Sequence, residues 1–136
     1  GGRERQFFGY AERGPGSRDD GTIAPTAAAT AMAFAPEIAL PALQAMHRHY
    51  GAAIYGQYGF FDAFNPTLTD AASPLAHGRI TPQAGWVGPD YLGLDQGPIV
   101  VGIENWRTGL VWRTMRKNPH IRRGLERAGF KGGWLG

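Results

Sequence analysis

The nonapeptide YGFFDAFNP sets one carboxylate, Asp62, among Phe60, Phe61 and Phe64. An acid hemmed in by rings loses hydration, which penalises its charged form and lets it keep a proton toward neutral pH. Further carboxylates stand in notable settings: Asp20 beside Asp19 in the glycine-containing run DDGT, Asp95 at the head of an apolar stretch, and Glu104 within that stretch. Glycosidic bond cleavage uses two carboxyl groups flanking the scissile bond, and Tyr58, Phe61, Trp86, Tyr91 and Trp106 are rings on which sugars can stack. Each of these residues also has an ordinary reading. Asp62 suits a turn residue bonding its own backbone, Asp95 a helix N-cap, and Glu104 a partner for Arg107 three residues on. The rings serve equally as core or interface filler. His47 and His49, two apart, fall on different sides of a helix and do not make a metal pair. No metal or other cofactor is expected.

Positioning such groups needs a folded scaffold, and the composition supplies one. The chain has 136 residues, 43% hydrophobic and 18% charged, the balance of one small globular domain. No P-loop, GxGxxG, HExxH or GxSxG motif occurs. There is no cysteine, which excludes disulfides and thiolate metal sites. The formal charge is +3, and Arg113, Arg116, Lys117, Arg122, Arg123, Arg127 and Lys131 crowd the C-terminal end. Without interleaved stacking rings, that cluster reads as solvated helix faces, so no nucleic-acid partner is expected. No apolar run reaches the roughly 18–20 residues that span a bilayer, so no membrane partner is expected either.

GPGSRDDGT is a loop. IAPTAAATAMAFAPE has Pro25 placed for a first helical turn and small helix formers up to Phe34. PEIALPALQAMHRHYG has helical spacing at Ile38, Leu40, Leu43, Met46 and Tyr50, with Pro41 expected to delay the regular helix to about Leu40 and Gly51 to stop it. Residues 52–98 form a long aromatic segment full of turn formers, without sustained alternation to support strands. One helix is expected from about Gln96 to Arg116, with Pro98 in its first turn. The last helix is capped by Asn118, starts at Pro119 and ends at Gly129.

The runs DDGTIAPTAAATAMAFAPE, YGQYGFFDAFNP and DYLGLDQGPIVVGIENWRTGLVWRTMRKNPHI, in this order, resemble the glycoamylase-like family. That family comprises bacterial enzymes acting on β-1,2-glucans, including endo-β-1,2-glucanases and the cyclising domain of cyclic β-1,2-glucan synthases. The resemblance covers residues 18–123. It implies an all-α fold, an (α/α) toroid of six helical hairpins with the cleft at one end. Such a barrel needs about twelve helices, so residues 1–136 would be the C-terminal part of one domain, a partial toroid with long aromatic loops. The opening GGRERQFFGY, which starts as though in mid-domain, fits that expectation. The partners implied are an oligo- or polysaccharide substrate and the N-terminal part of the same domain, in a periplasmic or secreted glycoside hydrolase or transglycosylase.

Carried over by position, the resemblance implies catalytic carboxylates at Asp62, Asp95 and Glu104. It implies substrate contacts at Asp20, Thr22, Tyr91, Gln96, Asn105 and Arg107, beside which Phe61 and Trp86 stand as candidate substrate-binding rings. The family's general acid would lie upstream, leaving these carboxylates to line subsites or position water. The helix opening at Asp95 would be an inner helix, buried all round, with its N-terminal end facing the cleft. The segment NPTLTDAASPLAHGRITPQAG is longer than expected between two of the motifs, which implies an altered substrate range.

Overall fold

The computed structural model describes Phe7, Gly16, Ser17, residues 19–72 and residues 74–135. Most of the opening segment GGRERQFFGY, and part of the loop GPGSRDDGT, lie outside the described residues. Helix α1 (Pro25–Thr30) has Pro25 in its first turn, where a missing N–H costs nothing, and runs into a 3-10 turn, Ala31–Ala33. Helix α2 (Pro36–Ile54) is longer than the sequence suggests. Pro41 sits inside it with no break, and Gly51 does not stop it. The helix begins at Pro36 instead, so Pro41 falls early, where losing one N–H bond is tolerated by the turns that follow.

The all-α expectation fails between α2 and α3. Strands β1 (Tyr55–Gly56) and β2 (Gly59–Phe60) pair as a two-stranded antiparallel ribbon. Strands β3 (Ala63–Asn65), β4 (Arg79–Thr81) and β5 (Gly85–Gly88) form a second antiparallel sheet in the order β3-β5-β4. Two small sheets and five α-helices among the described residues are not a partial (α/α) six-hairpin toroid, and the fold is mixed. The strands escape pattern reading because they are two to four residues long. β3 and β5 are moreover buried at every residue, so neither alternates.

Burial explains why the sheet holds. Phe64 and Val87 are fully buried and pack with Ile54, Ala53 and Ala84, so the end of α2 lies across the β3–β5 pair. Met46, Tyr50, Phe60 and Phe61 close the edge of this core. Ile23 exchanges both backbone hydrogen bonds with Phe64, at 2.8 and 2.9 Å, which stitches the loop before α1 to the free edge of β3.

Helix α3 (Gly93–Thr108) starts three residues before the expected Gln96 and ends at Gly109, after which α4 (Leu110–Arg116) takes a new direction. The single helix expected here is therefore two. Nor is α3 buried all round: Leu94, Val100, Val101 and Trp106 are exposed, while Gly102 and Asn105 are buried, Gly102 lying against the backbone of Thr30 in α1. Helix α5 (Pro119–Arg127) is as the sequence implies, with Asn118 Oδ1 accepting the N–H of His120 at 2.9 Å.

The turn between β4 and β5 is closed by Thr81, whose Oγ1 donates to Gly85 C=O and accepts from the N–H of Ala84. Gly85 has φ +63, and a Cβ there would collide with the carbonyl of Asn65 and lie 2.9 Å from that of Leu68. Gly85→Ala is expected to cost about 2–5 kcal/mol, from left-handed backbone plus overpacking, seen as a lower urea midpoint at unchanged slope.

Candidate active site

The register of the three-stranded sheet decides which side chains meet. Ala63 at the start of β3 pairs with Gly88, and Arg79 at the start of β4 pairs with Val87. Residues just before β3, just before β4 and just after β5 therefore emerge at the same end of the sheet. Those residues are Asp62, His77 and Asp90. The chain then turns into α3, whose first turn carries Asp95.

Asp62 is held by its backbone on both sides. Its N–H donates to Asp90 C=O at 3.0 Å, a rung just beyond the β3–β5 ladder. Its C=O accepts from the hydroxyl of the buried Thr26 at 3.3 Å. The carboxyl is thereby aimed at Asp95. Burial pushes the Asp62 pKa up from 3.8 to about 6, the charge of Asp95 and a hydrogen bond to it push the same way, Asp90 adds to the rise, and His77 opposes it. Asp62 Oδ1 and Asp95 Oδ2 are both buried with no donor in reach. Two ionised carboxylates cannot satisfy each other, whereas one proton held by Asp62 and given to Asp95 can. The raised pKa places that proton on Asp62 below about pH 6.

The ordinary readings of these acids are not what the structure shows. Asp95 is not a cap: the N-cap is Leu92, and no side chain caps α3. Asp62 is no turn former bonding its own backbone: its N–H and C=O pair with Asp90 and Thr26, far along the chain. Glu104 accepts from Thr108 Oγ1 at 2.8 Å, one turn further along α3. It lies nine residues from Asp95, about 13 Å along the axis and on the opposite side of the helix, so the structure does not bring it to the acid pair.

The expected substrate contacts divide in the same way. Phe61 and Tyr91, the chain neighbours of Asp62 and Asp90, pack on each other: their rings meet edge-on with centroids 5.2 Å apart, Tyr58 adds a third at 5.3 Å, and Tyr91 Oη bonds Gly59 C=O and the N–H of Tyr58. Gln96 follows Asp95 on α3, half-buried. Trp86 is buried within β5 and donates Nε1–H to His77 C=O at 2.8 Å, so it is an anchor and not a stacking face. Asp20 and Thr22 bind the far end of β3, where Asn65 Nδ2 donates to Asp20 C=O and Thr22 Oγ1, roughly 10 Å from Asp62 along the strand. Asn105 is structural: its Oδ1 takes the N–H of Trp112 at 3.0 Å and its C=O that of Gly109 at 2.7 Å, which fixes the α3–α4 break. Arg107 is exposed near the end of α3, away from the acids.

Sequence reasoning missed His77 and Asp90. The signal for Asp90 was its place in GPDYLGLD, five residues before Asp95; His77 has none, because only the sheet register brings it in. An apolar groove of about 420 Å³, lined by Thr30, Phe34, Pro98, Val101, Asn105 and Trp112 among others, carries none of these acids. Among the described residues no cluster of His, Asp or Glu could hold a metal ion, and no helix is long and apolar enough to cross a membrane.

The family model described as "Glycoamylase: Putative glucoamylase" matches residues 1–119. The chain belongs to the glycoamylase family. It is 36% identical over 110 residues to an exo β-1,2-glucooligosaccharide sophorohydrolase (non-reducing end) of Parabacteroides distasonis, covering 81% of this chain and 13% of that protein. Among solved structures it resembles a Bacteroides uniformis protein of the same glucoamylase description, at TM-score 0.67 and 40% identity, over 87% of this chain and 25% of that one. It also resembles the endo-β-1,2-glucanase of Chitinophaga pinensis, at TM-score 0.66 and 35% identity, over 86% of this chain and 24% of that one. This glycoamylase chain thus spans about a quarter or less of the length of these relatives.

The raised Asp62 pKa has a consequence for stability. Between about pH 4 and about pH 6 the folded chain binds more protons at Asp62 than the unfolded chain, so stability falls as pH rises through that window. Asp62→Asn, which keeps a donor toward Asp95, is expected to raise the thermal midpoint by a few degrees at about pH 7 and to change it little at about pH 4. Calorimetry at both pH values reads the difference.

Proposed function

We propose that this chain supplies part of the catalytic cleft of a glycoside hydrolase acting on a β-linked glucan, of β-1,2 linkage. The Asp62–Asp95 pair is the acid–base element, and Phe61 and Tyr91 are the faces against which the sugar lies. Supporting the reading is one observation above the rest: at one end of the sheet Asp62 and Asp95 each hold a buried carboxyl oxygen that no donor satisfies, and burial and the Asp95 charge push the Asp62 pKa up to about 6. The relatives described as β-1,2-glucan hydrolases supply the substrate class.

In this proposal the ionised pair accepts the proton of a water attacking the sugar's anomeric carbon. Asp62 takes that proton, and Asp95 steadies it by accepting a hydrogen bond. The acid that protonates the leaving oxygen is a separate group. Because Asp62 must start deprotonated, activity is expected to rise with pH through about 6, and a group poised there works well as a base near neutral pH.

The test is release of reducing sugar from β-1,2-glucan, measured in the polypeptide as the cell makes it. Asp62→Asn is expected to lower kcat by about 10²–10⁴-fold while glucan binding persists. Unchanged turnover removes Asp62 from the chemistry. A wild-type protein that binds the glucan without cutting it replaces this proposal with a saccharide-binding role.

A further inference from the structure

We infer that His77 and Asp90 form a positioning pair for Asp62, a device that fixes the carboxyl in space and sets the charge around it. The inference rests on the reading of Asp62 as an acid–base group given above. Asp90 works from both of its ends. Its main-chain carbonyl holds the N–H of Asp62 at 3.0 Å, and its side-chain carboxylate holds Nε2 of His77. A movement of Asp90 is therefore a movement of Asp62.

His77 is itself locked from behind. Its carbonyl takes the Nε1–H of Trp86, a residue buried in the central strand, at 2.8 Å. The next residue, Gly78, has φ +77, and a Cβ there would collide with the carbonyl of Val87 and sit 2.6 Å from Trp86 Nε1. Only glycine lets the segment lie this flat on β5, so the backbone of His77 is pinned while its ring stays in contact with water. An exposed ion pair on a free loop contributes little order. Here both members are fixed by buried neighbours before they meet, and little side-chain entropy remains to be lost.

The groups facing Asp62 are Asp95 from α3, Asp90 from the turn after β5 and His77 from the segment before β4. Protonated His77 favours the ionised form of Asp62, while both aspartates favour the protonated form. His77 lies within the long segment NPTLTDAASPLAHGRITPQAG, so that insertion reaches the acid pair through this residue.

The experiment follows the carboxyl carbon of Asp62 by NMR titration in selectively labelled protein, beside the pH profile of kcat/KM on β-1,2-glucan. His77→Gln is expected to raise the Asp62 midpoint by about half a pH unit, and His77→Lys, which restores a cation, to hold it near the wild-type value. Trp86→Phe, which removes only the anchoring N–H, shifts it in the same direction as His77→Gln and by less. In an Asp90→Asn background the ring is released, and His77→Gln is expected to shift the midpoint by under half as much. The rising limb of the kcat/KM profile moves with the midpoint. A midpoint that His77→Gln leaves in place, or moves equally with and without Asp90, overturns the inference. The two readings separate cleanly: shifted midpoints in a protein that does not cut glucan remove the proposed activity and keep the pair, whereas unmoved midpoints in an active protein do the reverse.

Discussion

Two carboxyls pressed together in a half-buried place cannot both be charged without large cost, and the rest of this structure follows from holding Asp62 and Asp95 in that position. Water would separate them if it could, because each gains more from hydration than from the other. They stay together because neither is free to leave. Asp62 is fixed through the backbone at both of its peptide groups, and Asp95 rides on the first turn of a sixteen-residue helix. Below about pH 6 a proton on Asp62 relieves that cost, and above it the fold holds both charges in place.

The small sheet is the instrument that makes this arrangement rigid. Its central strand is buried on both faces, and its two neighbours run antiparallel to it, so three chain segments reach the same end at once. A helical scaffold alone would deliver one side chain per turn from each helix. A three-stranded sheet with the order β3-β5-β4 delivers Asp62, Asp90 and His77 within one or two residues of the strand ends. Asn65 and Thr67 secure the opposite end, where Asn65 is fully buried and its Oδ1 takes both the N–H and the hydroxyl of Thr67. Asp20 and Thr22 are spent there, on architecture.

How far the sequence foretold this depends on the range of the interaction. Asp62 was legible because its rings are sequence neighbours, and the capped helix at Asn118-Pro119 because caps are local. Asp95 was found for a partly wrong reason: it marks the opening of an apolar helix, but Leu92 occupies the N-cap and leaves the Asp95 carboxyl for other use. The strands were invisible since they are very short and two of them are buried throughout. His77 depends on a pairing between residues 79–81 and 85–87, which no periodicity announces. Trp86 was taken for a sugar platform because composition gives a ring but not its burial; tertiary packing turned it into the anchor of His77.

Helix α3 shows how one apolar-looking segment can carry so much polarity. Its polar residues serve two separate ends. At the N-terminal turn, Asp95 meets Asp62 where the dipole favours an anion. Near the C-terminal turn, Asn105 and Glu104 have other duties: Asn105 feeds its oxygens to the N–H groups of Gly109 and Trp112, and Glu104 receives the hydroxyl of Thr108. The side-chain bond from Asn105 replaces a ladder bond lost where α3 gives way to α4, and an apolar residue at 105 would leave the N–H of Trp112 orphaned. Between the two ends, Gly102 lets α1 approach closely, which fixes the angle of α3 and with it the place of Asp95. The distance between the helix ends separates these duties: about 13 Å of helix keeps the charge of Glu104 away from an acid pair that a third nearby anion would push further from ionisation.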